Sequence, residues 1–110
     1  ETMVFDEIDT GVSGIAAQRV GEKMSDLSRG KQVLCITHLP QIAAIADNHD
    51  LIEKTERNGR TYTEVRELDR NGRALELARM HGGENISELT LASAEEQLLA
   101  ADKYRLTRNN

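Results

Sequence analysis

The chain has 110 residues, of which 38% are apolar and 30% are charged, a composition typical of one small globular domain. Its formal net charge of −5 excludes a domain that grips nucleic acid by bulk positive charge alone. The single cysteine, Cys35, excludes an internal disulfide and a multi-cysteine metal site. No apolar run approaches the roughly 20 residues that a membrane-spanning helix needs.

The first part of the sequence predicts a strand, a helix and a second strand. Residues 2–5 form a short apolar run, typical of a buried strand in a parallel sheet. A Gly- and Asp-rich loop over residues 9–14 leads into a helix predicted over 13–28, with Ser13 as its N-cap. The second strand is predicted over 31–36, which gives a βαβ unit with a right-handed crossover. The apolar positions of the helix recur at helical spacing: Ala16, Val20, Met24 and Leu27.

A short helix and a hairpin are predicted next. Pro40 suits the first turn of a helix that continues over residues 41–46. Residues 50–54 and 61–68 are strand-like, and Asn58-Gly59 between them predicts a tight turn. The hairpin is rich in charge, so we expect it at the edge of the sheet with one face in water. We expect a mixed-charge surface here, because neighbouring acids offset the basic side chains of Arg57, Arg60, Arg66, Arg70 and Arg73.

Two helices are predicted at the end of the chain, over residues 73–80 and 87–106. In the last helix an apolar face is predicted, composed of Leu91, Ala94, Leu98 and Ala101. Its charged side chains are expected to form a solvated face that contains Glu95, Glu96, Asp102, Lys103 and Arg105.

Polar side chains follow both strands of the βαβ unit. Because ligands bind at the carboxyl ends of parallel strands, Asp6, Glu7 and His38 are candidates for one site. Asp6 can hold Mg²⁺, Glu7 can orient a water for attack on a phosphate, and His38 can donate a hydrogen bond to a phosphate. The plainer interpretations are a solvated loop start for the two acids and an ordinary loop histidine.

Three blocks of sequence, in the expected order, resemble the RecN family of bacterial DNA-repair ATPases, in the SMC-like branch of ABC-type ATPases. Residues 5–14 resemble the Walker B motif and the D-loop that follows it. Residues 33–43 resemble the switch segment, or H-loop, and Gly82-Gly83 with residues 86–90 resembles the end of the family. The resemblance covers nearly the whole chain.

The resemblance implies an α/β fold, part of a P-loop NTPase head of the ABC/SMC type, and a role for each matching residue. Asp6 resembles the Walker B aspartate that supports Mg²⁺ through water, and Glu7 resembles the catalytic glutamate that positions the attacking water. His38 resembles the switch histidine near the γ-phosphate. All three would contact bound ATP–Mg²⁺. The D-loop, which lies along the interface of two heads, would include Asp9, Gly11, Ser13 and Gly14.

No G-x-x-x-x-G-K-[ST] phosphate loop occurs in the 110 residues. We therefore expect residues 1–110 to be the carboxyl-terminal half of a head, completed by an amino-terminal half that carries the Walker A motif. The resemblance implies as further partners a second head that sandwiches ATP and, through the full-length protein, DNA. It implies recombinational repair of double-strand breaks in the bacterial cytoplasm, at the nucleoid.

The isolated chain is expected to be catalytically incompetent, because a triphosphate is poorly held without a cradle of backbone amides. It is also expected to self-associate through the sheet edge and helix surface that the absent half would cover.

A non-enzymatic α/β protein-interaction module is the alternative hypothesis. On that hypothesis the sheet is a scaffold whose loops bind protein, and nothing requires Asp6, Glu7 and His38 to converge. An ATPase half-head places them in one crevice. The position of the two strand ends therefore discriminates between the hypotheses.

Overall fold

The computed structural model describes residues 1–6, 11 and 14–108. Glu7, Asp9 and the predicted N-cap Ser13 lie outside these residues. Every helix and strand predicted from the sequence is present, with ends that differ by up to three residues. In chain order the elements are β1 (Thr2–Asp6), α1 (Gly14–Leu27), β2 (Gln32–Ile36), α2 (Pro40–Ile45), β3 (Asp50–Arg57), β4 (Arg60–Glu67), α3 (Arg70–Gly82) and α4 (Glu88–Arg108).

Strands β1 and β2 form a two-stranded parallel sheet, which confirms the βαβ unit. The register runs from Thr2 opposite Gln32 to Asp6 opposite Ile36. Burial alternates along both strands, because successive side chains point to opposite faces. One face is partly buried, and the other leaves large apolar side chains in solvent, such as Val4, which is 64% exposed.

Helix α1 packs closely against α2 through small residues. A Cβ atom at Gly21 would lie 3.0 Å from the Ile45 Cγ2 atom, tighter than an ordinary contact, so a larger residue would require the Ile45 side chain to shift. The predicted apolar stripe is therefore wrong for Ala16 and Leu27, which are exposed. The buried face of α1 consists mainly of small residues instead of the predicted apolar stripe. Its buried residues are Ala17, Gly21, Met24 and Ser25.

The predicted hairpin forms from β3 and β4, with its turn at Asn58 and Gly59. Both turn residues have positive φ, 52° and 75°, as a two-residue hairpin turn requires. The hairpin differs from the expectation because it forms a separate antiparallel sheet instead of an edge of the β1–β2 sheet. Cross-strand ion pairs confirm its mixed charge: Arg57 with Glu64 at 2.7 Å, and Arg66 with Glu53 at 3.1 Å.

The hydrophobic core lies among helices α2, α3 and α4 rather than on the parallel sheet. The apolar face predicted for the last helix is confirmed, because Ala94, Leu98 and Ala101 are buried and Leu91 packs against them. No helix in the described part of the chain is both long and apolar enough to cross a membrane. The buried residues of the hydrophobic core are Ala43, Ala44, Ile45, Ala74, Leu77, Ala78, Ala94, Leu98 and Ala101.

Replacing Leu98 by alanine tests this core. Leu98 is 0% exposed, so we expect Leu98→Ala to lower the free energy of unfolding by about 2–5 kcal/mol, through lost burial and the cavity left behind. The matched control is Leu99→Ala, because Leu99 is 57% exposed and should change stability by about 0.5 kcal/mol or less. Urea denaturation measures both, and equal losses would contradict the assigned core.

Candidate functional site

The carboxyl ends of β1 and β2 lie side by side at one edge of the parallel sheet. Asp6 ends β1, and its register partner Ile36 ends β2. His38 follows two residues later, and Asp6 and His38 are both exposed. The fold thus brings two of the predicted site residues to one edge, as a shared crevice requires. Glu7, the third, follows Asp6 directly but lies outside the described residues.

Two glycines of the predicted D-loop have backbone conformations that favour glycine. Gly11 has φ of 80° and Gly14 has φ of 59°, in the left-handed region where a side chain is unfavourable. The other D-loop candidates, Asp9 and Ser13, lie outside the described residues. The need for glycine at these two positions follows from the backbone, whatever the loop contacts.

The loop that carries His38 is held at both ends. The Thr37 hydroxyl oxygen accepts a hydrogen bond from the Leu39 backbone N–H at 3.0 Å, which closes a small turn around His38. Pro40 then begins α2, and the Leu39 carbonyl accepts the N–H of Ala43 at 3.1 Å. The position of His38 therefore depends on the position of α2.

Helix α2 is a six-residue helix whose own sequence does not cap its carboxyl end. Its last turn has no basic residue, and the capping residue, Ala46, has extended backbone angles. The final carbonyls of a helix need partners from elsewhere. Arg73 of α3 supplies them, since its Nη2 atom donates to the carbonyls of Ala43, Ala44 and Ala46 at 3.2, 3.3 and 2.9 Å.

A second arginine, from α4, contacts an overlapping set of carbonyls. The Nη1 atom of Arg105 donates to the carbonyl oxygens of Ala44, Ile45 and Ala46 at 3.4, 3.2 and 3.3 Å. The positive guanidinium groups also suit the negative end of the helix dipole. We call Arg73 and Arg105 together the arginine cap of α2.

Acidic side chains surround the arginine cap. Asp102 hydrogen-bonds Arg105, and it also accepts from Arg70 at 2.8 and 3.3 Å. Asp47 lies 3.7 Å from Arg105. Burial and the nearby charges of Arg105 and Arg70 lower the pKa of Arg73, while Asp102 and Asp47 oppose that shift. The acids therefore offset part of the cost of placing two arginines side by side.

The expectations for these two arginines were wrong. Arg73 was placed on an exposed mixed-charge surface, but it is only 7% exposed. Arg105 was placed on a solvated face, but its side chain is mostly covered. Helical spacing could have indicated that both arginines are buried, because residues four apart lie on the same face of a helix. Arg73 precedes the buried Leu77 by four residues, and Arg105 follows the buried Ala101 by four.

His49 lies beside the arginine cap, between α2 and β3. Its backbone carbonyl accepts the N–H of Leu68 at 2.9 Å, which joins the start of the hairpin to its end. Its ring Nδ1 atom is buried without a hydrogen-bond partner among the described residues. Burial and the charge of Arg73 lower the pKa of His49, against smaller opposing effects of Glu76 and Asp50.

The residues at the sheet edge fit a magnesium ion held mainly by a nucleotide. The described part of the chain contains no group of three or more His, Cys, Asp or Glu side chains that could hold a metal by themselves. Mg²⁺ in phosphate sites uses one or two carboxylates together with water and phosphate oxygens. The exposed carboxylate of Asp6, at a strand end, suits that mode of binding.

Comparisons with known proteins support the resemblance to RecN. The DNA repair protein RecN of Bacillus subtilis (strain 168) is 47% identical over 106 residues, covering 96% of this chain and 18% of the relative. RecN of Halalkalibacterium halodurans is 52% identical over 97 residues, covering 88% of this chain and 17% of the relative. RecN of Vibrio cholerae is 44% identical over 100 residues, covering 91% of this chain and 18% of the relative. No family model matches the chain. The resemblance to RecN is therefore confirmed, over less than a fifth of these relatives' length.

A solved structure shares the fold. It comes from work on ATP-driven dimerization and DNA-stimulated activation of SMC ATPases. The TM-score is 0.60 at 23% sequence identity, and the match covers 76% of this chain and 50% of that chain. The predicted α/β fold class is confirmed, and the chain shares the fold of part of that solved structure.

His49, whose ring Nδ1 atom is buried, makes stability depend on pH. Because its pKa is lowered in the folded chain, the unfolded chain binds its proton more readily. We expect this contribution to be complete above the unfolded pKa of about 6.5 and to be lost as pH falls through the folded value. Urea denaturation from pH 7.5 to 5 should show a smaller loss for His49→Gln than for the unmodified chain. His81→Gln, at an exposed histidine, is the control, and equal slopes for all three would contradict the shift.

Proposed function

We propose that this chain, which resembles RecN over most of its length, is the carboxyl-terminal half of an ATPase head. The complete head binds ATP with Mg²⁺ and hydrolyses it during recombinational repair of DNA double-strand breaks. The observation that carries the proposal is the placement of Asp6 and His38 at one edge of the parallel sheet, because Asp6 ends β1 and His38 follows the end of β2. A protein-interaction module has no need of that arrangement.

The three side chains have separate roles in this proposal. Asp6 would hold Mg²⁺ through water, and the bound ion would supply positive charge that neutralises the phosphates. Glu7 orients the attacking water and accepts its proton, since a carboxylate at a strand end can act as a general base. His38 donates a hydrogen bond from its ring to an oxygen of the γ-phosphate, where charge must be stabilised. The reaction is the transfer of a phosphoryl group to water.

The apolar surface of the parallel sheet supports a partner segment. Val4 and Leu34 are register partners on the uncovered face, 64% and 50% exposed, with Ile36 beside them. Apolar surface of this kind is stabilised when another segment covers it. An open apolar groove of about 330 Å³ between β1 and α1 is lined by Phe5, Arg19, Val20, Lys23, Met24 and Leu27.

The amino-terminal half of the same head is the partner that fits this surface, and it supplies the phosphate loop. A second head then closes on the nucleotide, with Asp9, Gly11, Ser13 and Gly14 of the D-loop along the interface. DNA is bound by the full-length protein, in the bacterial cytoplasm at the nucleoid. The SMC ATPases that share the fold are described as undergoing ATP-driven dimerization and DNA-stimulated activation, which supports both partners.

The catalytic role of Glu7 can be tested in a chimera in which this chain replaces the matching segment of Bacillus subtilis RecN. We expect Glu7→Gln to lower the rate of ATP hydrolysis by about 10²–10³-fold while ATP binding is kept, because the amide cannot accept the proton. Glu95→Gln, on the exposed surface of α4, is the matched control. The isolated 110-residue chain should show no turnover. Full activity of the Glu7→Gln chimera would contradict the catalytic role of Glu7, whereas an unmodified chimera without turnover would favour an interaction module.

The exposed sheet face predicts self-association of the isolated chain. We expect light scattering to show oligomers at concentrations near 100 μM, a range in which weak apolar association is measurable (about −5 to −6 kcal/mol). Leu34→Glu places a charge on the uncovered face and should restore the monomer. Leu99→Glu places the same charge on the outer side of α4 and should leave the oligomer intact. A monomeric unmodified chain would count against this use of the sheet face.

A further inference from the structure

We infer that Arg73 and Arg105 are positioning residues for His38, acting through helix α2. The inference rests on the proposed function, because it assigns to α3 and α4 a role in ATP hydrolysis at the sheet edge. The two arginines lie in the last two helices, α3 and α4, and neither belongs to the blocks that resemble the ATPase motifs. The hydrogen bonds of both arginines that lead toward the site are those to the carboxyl end of the short helix α2.

Helix α2 can transmit position because it is short and buried. Five of its six residues are buried, and it packs against α1, α3 and α4. His38 stands two residues before its first residue, Pro40, which has a fixed φ. The Thr37 turn closes the other side of His38. A shift of α2 along its axis must therefore move the loop that carries the imidazole.

The arginine cap fixes α2 along that axis. Its hydrogen bonds reach the four successive carbonyls from Ala43 to Ala46, and they come from two different helices. A guanidinium group offers several donors in a rigid plane, whereas the ammonium of lysine is a single point of charge on a flexible stem. The geometry thus calls for arginine at both positions, and a lysine should hold the helix less well.

A second contact allows packing to be separated from positioning. Tyr104, one residue before Arg105, donates from its hydroxyl to the carboxylate of Asp26 at 2.8 Å, which joins α4 to α1. Tyr104→Phe removes this contact between helices and leaves the carbonyls of α2 with their donors. It is therefore the matched structural control for a substitution at Arg105.

The experiment uses the chimera with Bacillus subtilis RecN, in the forms Arg105→Met, Arg105→Lys and Tyr104→Phe. Hydrogen exchange reports on the backbone amides of residues 39–46, and steady-state kinetics separates kcat from KM for ATP. For Arg105→Met we expect about tenfold faster exchange in that segment and a kcat at least about tenfold lower, with KM within about twofold. The exchange rate and kcat of Arg105→Lys should lie between those of Arg105→Met and the unmodified chimera. Tyr104→Phe should have the kcat of the unmodified chimera.

A double-mutant cycle with His38→Ala gives the decisive readout. If Arg105 acts through His38, Arg105→Met should lower kcat no further once the imidazole is gone. The inference would be overturned if Arg105→Met lowered kcat by the same factor with and without the His38 imidazole. Unchanged hydrogen exchange in residues 39–46 of Arg105→Met, or a loss of kcat in Tyr104→Phe equal to that in Arg105→Met, would also overturn it. An unmodified chimera without Glu7-dependent turnover would overturn the proposed function itself, and the catalytic role of the arginine cap with it.

Discussion

The carboxyl end of the six-residue helix α2 has no cap from its own sequence, and its need for donors ties α3 and α4 to the centre of the domain. Helix α2 is buried, yet its own sequence offers no glycine or basic residue to complete its last turn. Hydrogen bonds from a charged donor are worth about 1.5–3 kcal/mol each, and a buried carbonyl without a partner costs a similar amount. Arg73 and Arg105 supply these donors from α3 and α4, so the two carboxyl-terminal helices are bound to the centre of the domain.

This arrangement connects the hydrophobic core to the edge of the parallel sheet. The core lies among helices, whereas the candidate catalytic residues stand at strand ends that have little core of their own. Helix α2 belongs to both regions, because its residues enter the core and its first turn follows His38. Gly21 lets α1 approach α2, and α1 also joins the two strands. The site is thus supported from the helical side, while Val4, Leu34 and Ile36 on the other face of the sheet are exposed.

The sequence predicted local structure and strand ends well, because apolar periodicity and turn residues act over a few neighbours. The hairpin turn at Asn58-Gly59 is an example, since both residues adopt the positive φ that the pair predicts. The sequence pattern did not predict the burial of Arg73 and Arg105, because a charged side chain is normally expected in solvent. Their partners are backbone carbonyls about 30 and 60 residues away, and carbonyls leave no mark in a sequence. The separate hairpin sheet was not predicted either, because which strands pair in one sheet depends on contacts between residues far apart in the sequence.

We propose that Asp6, Glu7 and His38 face one bound nucleotide at the carboxyl ends of β1 and β2. A crystal structure of the Glu7→Gln chimera with ATP and Mg²⁺ tests this. We expect a ring nitrogen of His38 about 3 Å from a γ-phosphate oxygen, with the Asp6 carboxylate within one water of the metal. A nucleotide bound elsewhere, or a His38 ring turned away from the phosphates with Asp6 distant from the metal, would contradict it.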